Sequence, residues 1–321
     1  MPKKMTISME RVRLAKFQDL LILVAAVLVF CIFAVALRNI GFLTAVNLIN
    51  ILNHTSVISI MAVAYVFVLG AGQIDLSIGV VVGLGSVLSA LGLRHFGFIG
   101  GVAAGLGIGI IVGLFHGFFV VRLRIPPFLV TIATMSVFEG VSRWITDLQA
   151  ISIVNDTFSN IFGGLRMFDN KVSILLFWMV GIAIISHLAL RKTTWGIKVL
   201  SIGSNEEGAR FAGINVDRVK YAVFIFSSLA GAFAGMLYSG RMESARYSYG
   251  ASDLFTVIAA VIIGGNSIFG GKGTVIGAII GSIILGMINN GLLLWGFGID
   301  QQVVFRGLII LIAVVISAER D

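Results

Sequence analysis

Ten stretches of the chain are long, apolar and nearly free of charge: 20-37, 55-72, 78-93, 96-121, 128-146, 172-190, 221-240, 254-268, 274-296 and 303-317. Continuous runs of this length predict membrane-crossing helices, whereas the strands of a membrane barrel would alternate over about ten residues. The predicted fold class is all-α: a polytopic membrane helical bundle of about ten transmembrane helices. The stretch 55-93 is the least regular, because Asp75 interrupts it, and it reads either as two full spans or as a broken helix.

Composition agrees with a lipid solvent. Of 321 residues 58% are hydrophobic and only 12% charged, against about a quarter charged in a soluble domain. A disordered chain and a collagen-like repeat are excluded, and so is a disulfide scaffold, since Cys31 is the only cysteine. Ten spans use roughly 200 residues, and the remainder is too small for a nucleotide-hydrolysing domain. The net charge of +8 would point to nucleic acid on a soluble protein, but here the positions of the charges carry the information, and no nucleic-acid partner is expected.

Basic residues flanking the runs set orientation. Lys3, Lys4, Arg11, Arg13 and Lys16 precede the first run, and Arg191, Lys192, Lys198, Arg210, Arg218 and Lys220 fall in 191-220. Both segments are expected on the cytoplasmic side, and the six runs between them keep the parity. Arg122 and Arg124 then also lie inside, the loop 147-171 lies outside, and both termini are cytoplasmic. The domain plan is a cytoplasmic tail 1-19, a transmembrane permease domain 20-317 containing a cytoplasmic coupling loop 191-220, and a tail 318-321. A competing reading takes the first run, with Ala34-Val35-Ala36, as a cleaved signal peptide, although the tail before it and the run itself are long for one.

Many of the 39 glycines lie inside the runs. Gly97, Gly101, Gly105, Gly109, Gly113 and Gly117 recur every fourth residue, as do Gly273, Gly277 and Gly281, and Ser227, Gly231, Gly235 and Ser239. Such stripes let helix backbones approach closely where lipid provides no hydrophobic drive between helices.

Three features are candidate chemistry. Asp75, followed by Ser77, either lines a polar path or caps the following helix. The glycine-dense segment Gly264–Thr274 contains Asn266 and Ser267. It fails the phosphate-loop pattern because Gly273 follows Lys272, and it reads as a break between spans that either exposes backbone to a cavity or turns tightly. Ser204, followed three residues later by Glu207, has the spacing of a capping box, and Gly213 ends the short helix that follows. That helix carries Glu206, Arg210 and Phe211 outside the membrane, to dock on a partner or to rest at the headgroups. Asn289 and Asn290 within an apolar run either meet a hydroxylated solute or bond between helices. The four histidines, His54, His95, His116 and His187, are scattered, and no metal site, cofactor or catalytic set is expected.

Several stretches resemble the sugar-type permeases of ATP-binding-cassette importers, the group containing the ribose and xylose transmembrane subunits. They are Asn47-Leu48-Ile49-Asn50-Ile51-Leu52, Ile74-Asp75-Leu76-Ser77-Ile78-Gly79, Ile125-Pro126-Pro127-Phe128-Leu129-Val130-Thr131, Gly203 with Asn205 to Ile214, Gly264 to Thr274, and Asn289-Asn290-Gly291. Gln73 departs from the glycine that this family usually has before its Ile-Asp-Leu-Ser run. The resemblance implies a multi-pass subunit of a bacterial inner membrane, surrounded by lipid. Its implied partners are a cytoplasmic ATP-binding subunit, a periplasmic solute-binding protein, and a second permease copy or paralogue. It further implies that Ser204, Asn205, Glu206, Glu207, Arg210, Phe211 and Gly213 form the coupling loop to the ATPase. Asp75, Ser77, Asn266, Ser267, Asn289 and Asn290 are the candidates for the substrate pathway. Two rival classes remain: an ion-coupled secondary transporter relying on Asp75 and Glu139, and an intramembrane enzyme in which Asp75, Ser77 and His116 converge.

Overall fold

The structure is a computed structural model that describes residues 20–164, 166–167 and 172–318. The basic N-terminal tail and the last three residues lie outside the described residues. The chain forms helices α1 (Leu20–Ala36), α2 (Ala45–Gly70), α3 (Ile78–Gly117), α4 (Pro127–Thr146), α5 (Asp156–Ser159), α6 (Ile174–Lys192), α7 (Thr194–Ser204), α8 (Glu206–Phe211), α9 (Val216–Met242), α10 (Asp253–Ile263), α11 (Val275–Leu294) and α12 (Ile299–Ala318). Two-residue strands β1 (Ile151–Ser152) and β4 (Ser244–Ala245) pair antiparallel, as do β2 (Arg166–Met167) and β3 (Val172–Ser173). These strands clip loops together and leave the class all-α. Six helical segments are long and apolar enough to cross a membrane: α2, α3 with its π-helical extension to Arg122, α4, α6, α9 and α11.

α2 is the hub. Its residues from Val57 to Leu69 are all buried, as expected of a helix that is apolar all round. Phe67 stacks on Trp195 of α7 at 4.8 Å and meets Phe226 of α9 edge-on at 5.1 Å. The helix starts ten residues before the predicted run. Thr44 caps it by accepting from the Asn47 amide, and Asn47, which the apolar count excludes, finds a partner on α11.

α3 is not one straight rod. Gly97 has φ +66° and joins two arms, which fold back so that Gly92 lies against Gly100 and Ala104 while the Ser89 hydroxyl donates to the Gly101 carbonyl at 3.0 Å. Both arms clasp α9. On the second arm Gly105 faces Met236, Gly109 faces Leu229, Gly113 faces Ile225 and Gly117 faces Tyr221, so the stripe runs antiparallel along α9. A Cβ at Gly97 would meet nothing within 4 Å, so this glycine serves the bend and is not a member of the stripe. On the first arm Gly231 and Gly235 of α9 meet the backbone of Ile78 and Val82, and the hydroxyls of Ser86 and Ser239 bond at 2.6 Å. The third stripe also holds for two members, with Gly277 on Gly264 and Gly281 on Ala260 of α10.

α10 corrects the predicted span 254-268. Gly264 ends the helix after eleven residues, which rise about 16 Å, only half of a hydrocarbon core. α1 packs through Phe33 against Phe42 and Gly291. Large apolar side chains of α1, α4, α6 and α12 are exposed on the outside of the bundle.

Candidate functional site

Arg122 and Arg124 share a cleft of about 940 Å³ with Glu206, Glu207, Arg210, Asp217, Lys220 and Tyr221. These groups therefore stand at one end of the bundle, as the parity of the runs requires. α8 projects there. The cap is Asn205 instead of the expected Ser204: the Asn205 side chain accepts from the Gly208 amide at 2.8 Å, while Ser204 is the last residue of α7. Asn205 wins because α7 continues through Ser204, and one residue must leave helical geometry before α8 can begin. Glu206 and Glu207 occupy the first turn and Arg210 the last, in the order that the helix dipole favours. Gly213, at φ +81°, stops the helix as predicted.

Charges hold α8 to α9. Arg210 bonds Glu206 at 3.2 Å and Asp217 at 2.8 Å, and Lys220 bonds Glu206 at 2.7 Å. Partial burial alone would raise the Glu206 carboxyl, but Lys220 and then Arg210 outweigh it and hold it below the ordinary carboxylate value. Asp217 first, then Glu206, raises the Arg210 guanidinium further. A single exposed pair contributes little, whereas this network fixes a direction. It leaves Phe211 pointing away, 92% exposed.

Below α8, three backbones meet at glycines. The Gly271 amide donates to the Gly70 carbonyl at 3.1 Å, and Gly203 of α7 packs on both. The segment Gly264–Thr274 is a tight turn braced by Asn266, whose Oδ1 accepts from the Thr274 amide and whose Nδ2 donates to the Val261 carbonyl, both at 2.7 Å. The Ser267 hydroxyl accepts from the Phe269 amide at 3.1 Å. Both side chains are buried within the turn.

Asp75 has no exposed surface. Its Oδ1 accepts from the Ser77 amide at 2.9 Å and the Ser77 hydroxyl at 2.6 Å, and its Oδ2 from the Ser227 hydroxyl at 2.7 Å. It thus locks the start of α3 to the middle of α9. Gln73 is buried beside this turn and donates to the Ala71 carbonyl. His116 bonds Thr134 of α4 at 2.8 Å, whereas the Ser77 hydroxyl donates to Asp75, so His116 and Ser77 have different partners. Glu139 pairs with Arg143 on the surface of α4. Asn290 exchanges two hydrogen bonds with Asn47, at 3.0 and 2.9 Å, while Asn289 is half-buried on the next position.

The structure thus brings together the residues expected to couple to an ATPase and leaves the pathway candidates dispersed among packing contacts. Besides Arg143, which pairs with Glu139, an arginine inside the last apolar run escaped the sequence reading: Arg306. Its Nη1 donates to the Ser252 carbonyl at 2.8 Å. A residue-by-residue charge count of that run would have found it.

The chain is a multi-pass helical bundle with a knob at one end held by ion pairs. The chain belongs to the family described as branched-chain amino acid transport system / permease component, whose profile matches residues 47–314. It is 35% identical over 290 residues to the ribose import permease protein of Bacillus subtilis (strain 168), covering 89% of each chain. It is 36% identical to the L-arabinose transport system permease protein of Escherichia coli (strain K12), over 86% of this chain and 83% of that one. The galactose/methyl galactoside import permease protein of Haemophilus influenzae is 33% identical, over 86% and 88%. No solved structure matches.

Proposed function

We propose that this chain is the transmembrane permease subunit of an ATP-binding-cassette importer that carries a monosaccharide or a related small polyol across a bacterial inner membrane. The observation that carries this reading is the match, over more than four-fifths of both lengths, to import permeases for three different sugars. The two arms of α3 cross the membrane separately, the eleven-residue α10 enters it only part-way, and α8 and both termini lie in the cytoplasm. The ATP-binding subunit receives Phe211 and the face of α8 around it. Because Glu206, Arg210, Asp217 and Lys220 clamp α8 to α9, motor closure moves α9, and α9 carries both arms of α3 with it. A periplasmic binding protein delivers the solute to a path between this chain and a second permease. Ion coupling is disfavoured, because Asp75 is spent on Ser77 and Ser227 and Glu139 on Arg143.

The test is uptake of D-ribose, L-arabinose and D-galactose by vesicles holding the chain with its ATP-binding and solute-binding partners. At least one sugar should accumulate with ATP. Phe211→Ala should lower uptake by about tenfold or more, the scale of an aromatic anchor lost from an interface, while insertion stays normal. Accumulation that survives removal of the ATP-binding subunit but collapses with the proton gradient would overturn the reading.

A further inference from the structure

At the end of the bundle opposite α8, four ionisable or phenolic side chains from four helices converge: His54 of α2, Tyr238 near the end of α9, Asp253 at the start of α10 and Arg306 of α12. The Tyr238 hydroxyl donates to Asp253 Oδ2 at 2.7 Å, and Arg306 reaches the Ser252 carbonyl beside it. Arg241, Asp253 and Arg306 are all within electrostatic reach of His54. The Tyr249 ring lies 5.6 Å from that of Tyr238.

Two facts separate this cluster from ordinary packing. Arg306 stands between Val303-Val304-Phe305 and Leu308-Ile309-Ile310, and a guanidinium within an apolar membrane helix is costly unless it meets a partner or water. Yet its Nε is buried with no hydrogen-bond partner, so a donor is spare. Secondly, the cluster opens outward: His54 is exposed, and Tyr238, Asp253 and Arg306 are partly so. Charged groups on the outer face of a bundle belong on a water-filled path, not against hydrocarbon. The supporting loop is rigid. Gly79 and Gly83 of α3 have no Cβ where the carbonyls of Gly250 and Tyr247 close against them, which fixes the backbone leading into Asp253.

We propose that His54, Tyr238, Asp253 and Arg306 form a solute-recognition site in the outer mouth of the permease, selecting a neutral polyhydroxylated ring. Asp253 accepts from paired hydroxyls, Arg306 Nε and His54 supply donors, and the tyrosine rings offer a face to the C–H side of the solute. The site rests on the import reading, and it makes this subunit a second filter after the binding protein.

Two measurements test it. In the assembled complex with its loaded binding protein, Asp253→Asn and Arg306→Lys should each cut sugar uptake per ATP hydrolysed by about tenfold, as expected when an interaction with the moving solute is lost. Stimulated ATP hydrolysis should persist. Uptake per ATP at the wild-type value, or uptake and hydrolysis falling together with loss of the assembled complex, would overturn the site. Separately, His54→Cys in a Cys31→Ser background should react with a membrane-impermeant maleimide added outside, and the transported sugar should slow that reaction. An unreactive thiol, or one indifferent to sugar, would overturn it. A wild-type complex that accumulates none of the three sugars sinks the import reading and the site with it. A wild-type complex that imports while both variants match it sinks the site alone.

Discussion

Ser227 donates to the carboxylate of Asp75 at 2.7 Å, across 152 positions of sequence, and so ties the break between α2 and α3 to the middle of α9. This buried bond makes Asp75 a lock between elements that the sequence separates widely.

Removing the acceptor should show the lock directly. Asp75→Ala leaves the Ser227 hydroxyl and the Ser77 amide buried without a partner, which costs about 1–3 kcal/mol. Asp75→Asn restores an acceptor and a donor that Ser227 can use, so it should recover part of that loss. Reversible unfolding of the chain in mixed micelles, compared with Ser227→Ala, measures both. Stability equal to wild type in Asp75→Ala would refute the lock.

The α3–α9 stripe predicts a contrast within one helix. A side chain at Gly113 would place its Cβ 2.7 Å from the Ile225 nitrogen, and backbone cannot yield as a flexible side chain does. Gly107, on the same arm, has open space around it. Gly113→Val should therefore abolish monodisperse protein in size-exclusion chromatography, while Gly107→Ala should behave as wild type, because close backbone approach is what associates these helices in lipid.

Glu206 predicts a pH dependence. Its carboxyl is held below the ordinary value of 4.5 in the folded chain, against the opposing effect of burial, by Lys220 and Arg210. A carboxyl lowered by folding stabilises above its unfolded value, and that contribution is lost as pH falls through the folded value. The clamp on α8 should thus be complete at neutral pH and weaken only below pH 4.5. Carbon-13 NMR of labelled glutamate should give Glu206 a depressed midpoint that Lys220→Met moves upward; an unmoved midpoint would show that Lys220 does not hold it.

Apolar run length and glycine spacing are one-dimensional properties, which is why the helices and most members of the three stripes are readable before any contact is known. Gly97 shares the four-residue spacing but bends the chain, since spacing does not report φ. Asn205 takes the cap expected of Ser204 because the end of α7 decides it. Asn266, Ser267 and Asn290 look like solute ligands while their partners are unknown; once Thr274, Phe269 and Asn47 are in place, they are braces.

The amino-acid order alone determined that this chain is a bundle of membrane-crossing helices, because transfer from water depends on residue type and run length and needs no tertiary partner. Only the tertiary structure decided what each polar side chain inside the bundle is for. A buried hydroxyl, amide or carboxylate is defined by the group that satisfies it, and for Asp75 and Arg306 that group comes from a distant part of the chain.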